Sequence, residues 1–457
     1  MATYNPLSTD EEAQVSFMVG DGDSLRFDAP VPISRPPTSP RDPSYVSAYF
    51  LMFVCVSLVG FIHHTEFLHD SFVLYQQAGG WTSMLMVATL FGTVIGLFLM
   101  FALYYPPLRE LVLQHAIPFS IAVQCVAGAA AYIGLGTQCW PITLLVLGSA
   151  ACDAVRYTES VEVVAVTEAT LELAFEVLGH FDTSLAAALI ALGVVQTGLL
   201  LWWGVVFVGL LTEVHAAVAV VAMLLLSFAA YWTVQVFRSI VSTVAGACVL
   251  WFFLREEGAD LQPDRRVSLY MRTALSTSLG SMCKGALLVP ISQVVLAAEH
   301  WAASPTPPRN IFEKVLRRTV LVVVRPVVDR LRLYSRIVYP IIGTYGQSFQ
   351  RASVEADSND GVGIVLGGIT NLLLKAVAKG ATMVVLLVFA VSGRADPSLP
   401  LFLVVSFYLI LAGAGLMLNA VRAAVDTFSI AFTANPTVFA RLSPVVFHRF
   451  VRMREEK

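Results

Sequence analysis

The chain has 457 residues, of which 57% are hydrophobic and only 13% charged, and its net charge is −3. A soluble surface of this size needs about twice that share of ionic groups, and the near-neutral balance gives no basic surface for nucleic acid. The composition therefore describes an all-α integral membrane protein, because only helices and closed barrels satisfy their own backbone inside a bilayer.

In chain order, residues 1–45 are polar, with six prolines between Pro30 and Pro43, and predict a disordered cytosolic tail. A bilayer core takes about 20 apolar residues per helix. The apolar tracts then predict spans at Val46–Ile62, Met84–Tyr104, Pro118–Leu135, Pro141–Tyr157 and Ser184–Leu211. Gly92 and Gly96 in the second of these form a GxxxG face suited to close packing. The tract Ala216–Leu254 is too long for one straight span, and we divide it near Arg238 and Ser239 into spans six and seven. Ala274–Ala298, Gly367–Val391 and Leu401–Phe432 complete a count of ten. Residues 46–298 thus hold eight spans and 367–432 the last two, leaving 299–366 as a cytosolic basic segment and 433–457 as a cytosolic tail.

Lysine and arginine set the orientation. The segment Asn310–Arg336 and the C-terminal tail are rich in both, whereas the loop Phe67–Gln77 has neither, so both termini are expected in the cytosol. Residues 311–334 mix valine and leucine with arginine and predict a helix lying on the anionic inner leaflet. Glu168, Glu172 and Glu176 form one i, i+4 row, either a solvated face or an acidic vestibule that concentrates cations. The six cysteines sit in or beside apolar runs without paired spacing, which reads as packing and not as disulfides or ligands. His63, His64, Glu66, His69 and Asp70 match no standard metal spacing. No phosphate loop, GxSxG or HExxH string is present, so we expect no cofactor, no metal and no enzymatic activity.

Charged groups at membrane depth are costly and tend to face a cavity or a partner. Lys284, Arg422 and Asp426 are such groups, and each lies in or near a longer pattern. Ser278-Leu-Gly-Ser-Met-Cys-Lys-Gly285 resembles the SLGSxxxGxLL signature of the choline transporter-like family. Tyr231-Trp-Thr-Val-Gln-Val-Phe237, Val244-Ala-Gly246 with Trp251-Phe-Phe253, Thr344-Tyr-Gly-Gln-Ser-Phe349 and Val425-Asp-Thr427 are similar to further strings of that family, in the same order. The resemblance implies ten spans, cytosolic termini, a plasma-membrane location and transport of choline or a related small organic amine. Phe252 replaces a tyrosine common in the family, and Lys284 places a cation inside the signature.

A quaternary ammonium is read best by aromatic faces. Tyr231, Trp232 and Trp251 form the densest such set, with Gln235, Ser278 and Ser281 as partners for a hydroxyl. We expect choline between spans six, seven and eight, with Trp232 and Trp251 as the walls of one cage and Lys284 facing away. Asp153 and Asp426 are candidate gating or coupling groups, although Asp426 also stands four residues after Arg422, as an ion pair would. With no ATPase motif in the sequence, transport is expected to be facilitated or ion-coupled. Ethanolamine and thiamine pyrophosphate remain alternative cargoes, and a non-transporting scaffold or receptor-like subunit remains the competing class.

Overall fold

The structure, a computed structural model, describes residues 39–135, 140–160, 164–213, 216–255, 262–303, 311–331, 333–358, 370, 373–386 and 399–455; side chains of a few residues inside these helices, 59–84 among them, are not described. The regular elements among them are all helical. They are α1 (Pro43–Tyr104), α2 (Pro106–Leu135), α3 (Trp140–Ser160), α4 (Val164–Gly179) and α5 (Asp182–Glu213). There follow α6 (Ala216–Leu254), α7 (Pro263–Leu275), α8 (Leu279–Ala303), α9 (Ile311–Leu331), α10 (Val338–Tyr345) and α11 (Phe349–Ser358). Then come α12 (373–386), and α13 (Leu399–Ala434), α14 (Pro436–Leu442) and α15 (Pro444–Glu455). Among the described residues, six stretches are long and apolar enough to cross a membrane, in α1, α2, α5, α6, α8 and α13. The side chains of the His63–Asp70 cluster and residues 1–38 of the polar N-terminal tail lie outside what the structure describes.

The division of residues 216–254 does not survive. Helix α6 is unbroken over 39 residues, and 34 of them, Val221–Leu254, form one apolar stretch. Arg238 needs no backbone break because its side chain lies sideways against α13. Its Nη2 donates to the Leu411 carbonyl at 3.2 Å, and Gly415 leaves the space that the guanidinium fills.

Helix α1 covers 62 residues without a proline after its first turn, where the sequence predicts two spans and a loop. It is nevertheless not a straight rod. Phe53 packs edge-on against Trp203 at 6.2 Å, and Thr93 hydrogen-bonds Thr197 at 2.9 Å. Forty residues of straight helix would separate Phe53 from Thr93 by about 60 Å, whereas Thr197 and Trp203 stand about 9 Å apart on α5. The two arms of α1 therefore lie side by side against α5. Gly92 is pressed onto the backbone at Ile410 and Gly96 onto Ala414 and Met417, so the GxxxG face is the seam between α1 and α13.

The expected span 274–298 is also divided. Helix α7 ends at Leu275 and α8 begins at Leu279, so the signature starts on the break at Ser278 and runs through the first two turns of α8. A second difference lies within 299–366, which the sequence treats as one cytosolic basic segment. All eight residues of α10 are buried, and the short helix packs on α6, with Pro340 against Gly246 and Gly343 against Thr243. An apolar run of eight residues is too short to be recognised as a buried element by length alone.

Helices α6 and α13 run parallel. Ser242 meets Asn419 at 2.6 Å, Gly246 faces Thr427, and the Phe253 carbonyl accepts from Asn435 at 3.1 Å, so the pairing advances in the same direction on both. Two parallel crossing helices need an odd number of crossings between them. The sequence places two there, 274–298 and 367–391, which would leave the pair antiparallel.

Candidate functional site

From Tyr231 to Leu254 helix α6 is buried on nearly every side, and its open stripe there is polar, whereas Val221, Leu224, Leu225 and Phe228 before it are exposed and apolar. Tyr231, Gln235, Arg238 and Ser242 are each partly accessible while their neighbours from Trp232 to Phe253 are mostly buried. Their spacing of four, three and four places them on a single helical face. Helix α13 answers with Tyr408, Leu411, Gly415, Arg422 and Asp426, also partly accessible, and with Asn419, whose Nδ2 donates to the Arg238 carbonyl and the Ser242 hydroxyl at 2.7 and 2.6 Å. From Tyr408 to Asp426 this face extends about 27 Å along the helix, close to the ~30 Å of a bilayer core.

Arg336 enters the same seam from the link between α9 and α10. Its guanidinium donates to Gln293 of α8 and feels Asp426, Tyr339, Arg238 and Tyr231. Burial pulls Arg336 below its ordinary pKa, and the Asp426 carboxylate opposes that shift. Asp426 also stands 3.7 Å from Arg422 Nε. Arg238 is flanked by the phenols of Tyr408 and Tyr231. Tyrosine faces, one carboxylate and three guanidiniums thus share one continuous polar surface inside the bundle.

Of the residues singled out from sequence, the structure brings Tyr231, Gln235 and Asp426 into this seam. It does not unite the proposed cage walls. On one unbroken helix Trp232 and Trp251 are 19 residues apart, about 28 Å, too far to enclose one ammonium group. Trp232 is buried against Tyr49, with ring centroids 5.4 Å apart, and its Nε1 donates to the Cys283 carbonyl at 3.1 Å. Trp251 packs against Phe181, with Arg266 4.6 Å above its ring. Asp153 is held at the periphery by Lys379 at 2.7 Å and Gln124 at 2.9 Å. Of the acidic row, Glu172 and Glu176 line an open hollow with Arg109, which stands 3.7 Å from Glu172 and offsets its charge.

Ser278 and Ser281 belong to a different junction. Residues Arg41 and Asp42 form a strap laid across the break between α7 and α8. Arg41 N donates to the Thr277 carbonyl at 2.7 Å, and Arg41 Nε reaches the Gly346 carbonyl at 3.3 Å. Asp42 accepts from Ser281 Oγ at 2.7 Å and from the Phe349 amide at 3.1 Å, and it stands 3.4 Å from Lys284 Nζ. A side chain at Gly280 would overlap the strap carbonyls, and one at Gly285 would overlap Phe349 and Tyr339. Ser278 is buried beside this junction with no partner for its hydroxyl. The signature therefore receives the strap and α11. Lys284, the cation that looked out of place, is the partner of Asp42, turned toward Tyr45 and Phe349.

Residues 161–437, more than half of the chain, match the plasma-membrane choline transporter family. The chain belongs to that family. It is a multi-pass membrane protein of a transporter family, and its matched region holds the whole seam from α6 to α13. It is also similar to a CTL-like protein of Dictyostelium discoideum, 20% identical over 263 residues that make up 54% of this chain. The match spans 45% of that relative's length.

The strap and Arg336 were not legible as site residues in the sequence. Arg41 closes a proline-rich tail, and Arg336 is one of seven cations in a basic run. Arg238 did carry a signal, as the one charge in a 39-residue apolar tract, but it was read as a break. Tyr408 and Asn419 carried none beyond their place in an apolar helix.

Proposed function

We propose that the chain transports choline or a related small organic amine, by a facilitated or ion-coupled route, along the polar seam between α6 and α13. The observation that carries this reading is the open polar stripe on the segments 231–254 of α6 and 408–432 of α13, whose other faces are mostly buried in protein. A structural helix pair closes its interface with small side chains and a few interhelical hydrogen bonds, as Asn419 makes here; a charged, accessible face of bilayer length goes beyond that and suits a cargo path. Tyr231, Tyr408 and Tyr339 offer ring faces to a quaternary ammonium, each worth about 0.5–2 kcal/mol. Asp426 offers the single carboxylate among the described residues of the seam, and Gln235 and Asn419 offer polar groups for the cargo's other end.

Uptake of radiolabelled choline by the purified protein in liposomes tests the reading. The expected result is saturable uptake that Gly415→Leu reduces at least tenfold, because the new side chain fills the space occupied by Arg238. Absence of uptake of choline and of related amines, with the protein folded and inserted, would favour the scaffold reading.

A further inference from the structure

The seam carries more positive charge than its own groups neutralise. Arg238, Arg336 and Arg422 supply three guanidiniums, and Asp426 is the carboxylate that acts on Arg336 and Arg422. Among the described residues no carboxylate pairs with Arg238. Its Nη2 has the Leu411 carbonyl, while its Nε is buried without a partner. Nε and Nη2 of Arg422 also lack hydrogen-bond acceptors. Contrast the other ion pairs at depth: Lys284 with Asp42 and Lys379 with Asp153 are matched one to one.

Unpaired cations inside a bundle are strongly unfavourable unless a partner or water reaches them. A guanidinium is also the side chain that holds a carboxylate or phosphate by two parallel hydrogen bonds. A simple organic cation in this seam would add a fourth positive charge to three. We propose that the seam binds an anionic group, a carboxylate or phosphate, at Arg238 and Arg336, beside an ammonium group held by Asp426 and the tyrosines. The preferred cargo is then amphoteric, an amine that carries its own acidic group. This deepens the transport reading above and rests on it. The same chemistry could be met by a small inorganic anion bound together with a purely cationic amine.

The test compares uptake of choline, trimethylglycine and phosphocholine by the purified protein in liposomes, in chloride and with chloride replaced by methanesulfonate, which is neither a carboxylate nor a phosphate. An amphoteric cargo predicts that trimethylglycine or phosphocholine is taken up at least tenfold faster than choline, independently of chloride. Arg238→Gln should reduce that uptake about tenfold, and Arg238→Lys should restore part of it. A free anion predicts instead that choline uptake falls about tenfold without chloride and that Arg238→Gln removes this dependence. Choline uptake that equals or exceeds that of both amphoteric compounds, indifferent to chloride, would overturn the inference and leave the transport reading standing. That wild-type comparison decides the matter even where a variant fails to fold. Uptake of none of the three would overturn both.

Discussion

Two groups of charges lie inside this bundle, and they are built on opposite plans. At the strap, Asp42 receives Ser281, the Phe349 amide and Lys284, so that one anion meets one cation and two further donors. In the seam, among the described residues, one carboxylate faces three guanidiniums, and several of their nitrogens have no acceptor. The first arrangement closes on itself and stabilises the fold. The second is complete only when something else is present. Balance of charge and saturation of donors separate a structural junction from a binding surface here, since the residue types are much the same.

The largest effect that would sharpen this contrast is expected at two glycines. Gly280→Val places its side chain on the strap carbonyls, which are backbone and cannot yield. It should cost about 4 kcal/mol or more, read as loss of a cooperative melt in detergent. Gly415→Ala meets only the tip of Arg238, a flexible side chain, and should cost under about 1 kcal/mol while lowering uptake severalfold. Equal melting losses in the two variants would break the comparison.

Removing charge should separate the regions again. Asp42→Ala leaves Lys284 without its carboxylate and should destabilise by about 3 kcal/mol. Arg238→Gln removes an uncompensated cation, so the melting temperature should hold or rise even as transport falls. A melting loss at Arg238→Gln as large as at Asp42→Ala would show that the seam, too, is saturated and structural.

The smallest effect is expected at Trp251. It packs edge-on against Phe181 and lies beneath Arg266, about 28 Å along α6 from Trp232. Trp251→Phe should cost about 1 kcal/mol and leave the apparent affinity for cargo unchanged. A tenfold loss of affinity there would move the site toward α7.

Much of the bundle was legible in sequence because the bilayer imposes a simple rule of length and polarity. The tracts that became α5, α6 and α13 were visible as apolar runs, and Arg238, Lys284, Arg422 and Asp426 stood out as charges where charge is costly. The family strings also fell on residues that the structure uses, though for packing as often as for chemistry. Gly246 and Gly285 exist to admit Pro340 and Tyr339, and Trp232 caps a carbonyl.

Hydropathy by itself determined that the chain is a helical membrane protein and roughly where its apolar helices lie, because each helix satisfies its backbone locally and needs only enough apolar length. Apart from Arg422 and Asp426, four residues apart on one helix, which charges are matched was decided by the tertiary structure. Asp42 and Lys284 are separated by 242 residues, and Arg336 and Asp426 lie on different elements, so no spacing rule could pair them. The same holds for the side chain of Arg238: the apolar tract announced its cost, but only the neighbouring Gly415 and Leu411 show that the helix passes it unbroken and turns it toward the seam.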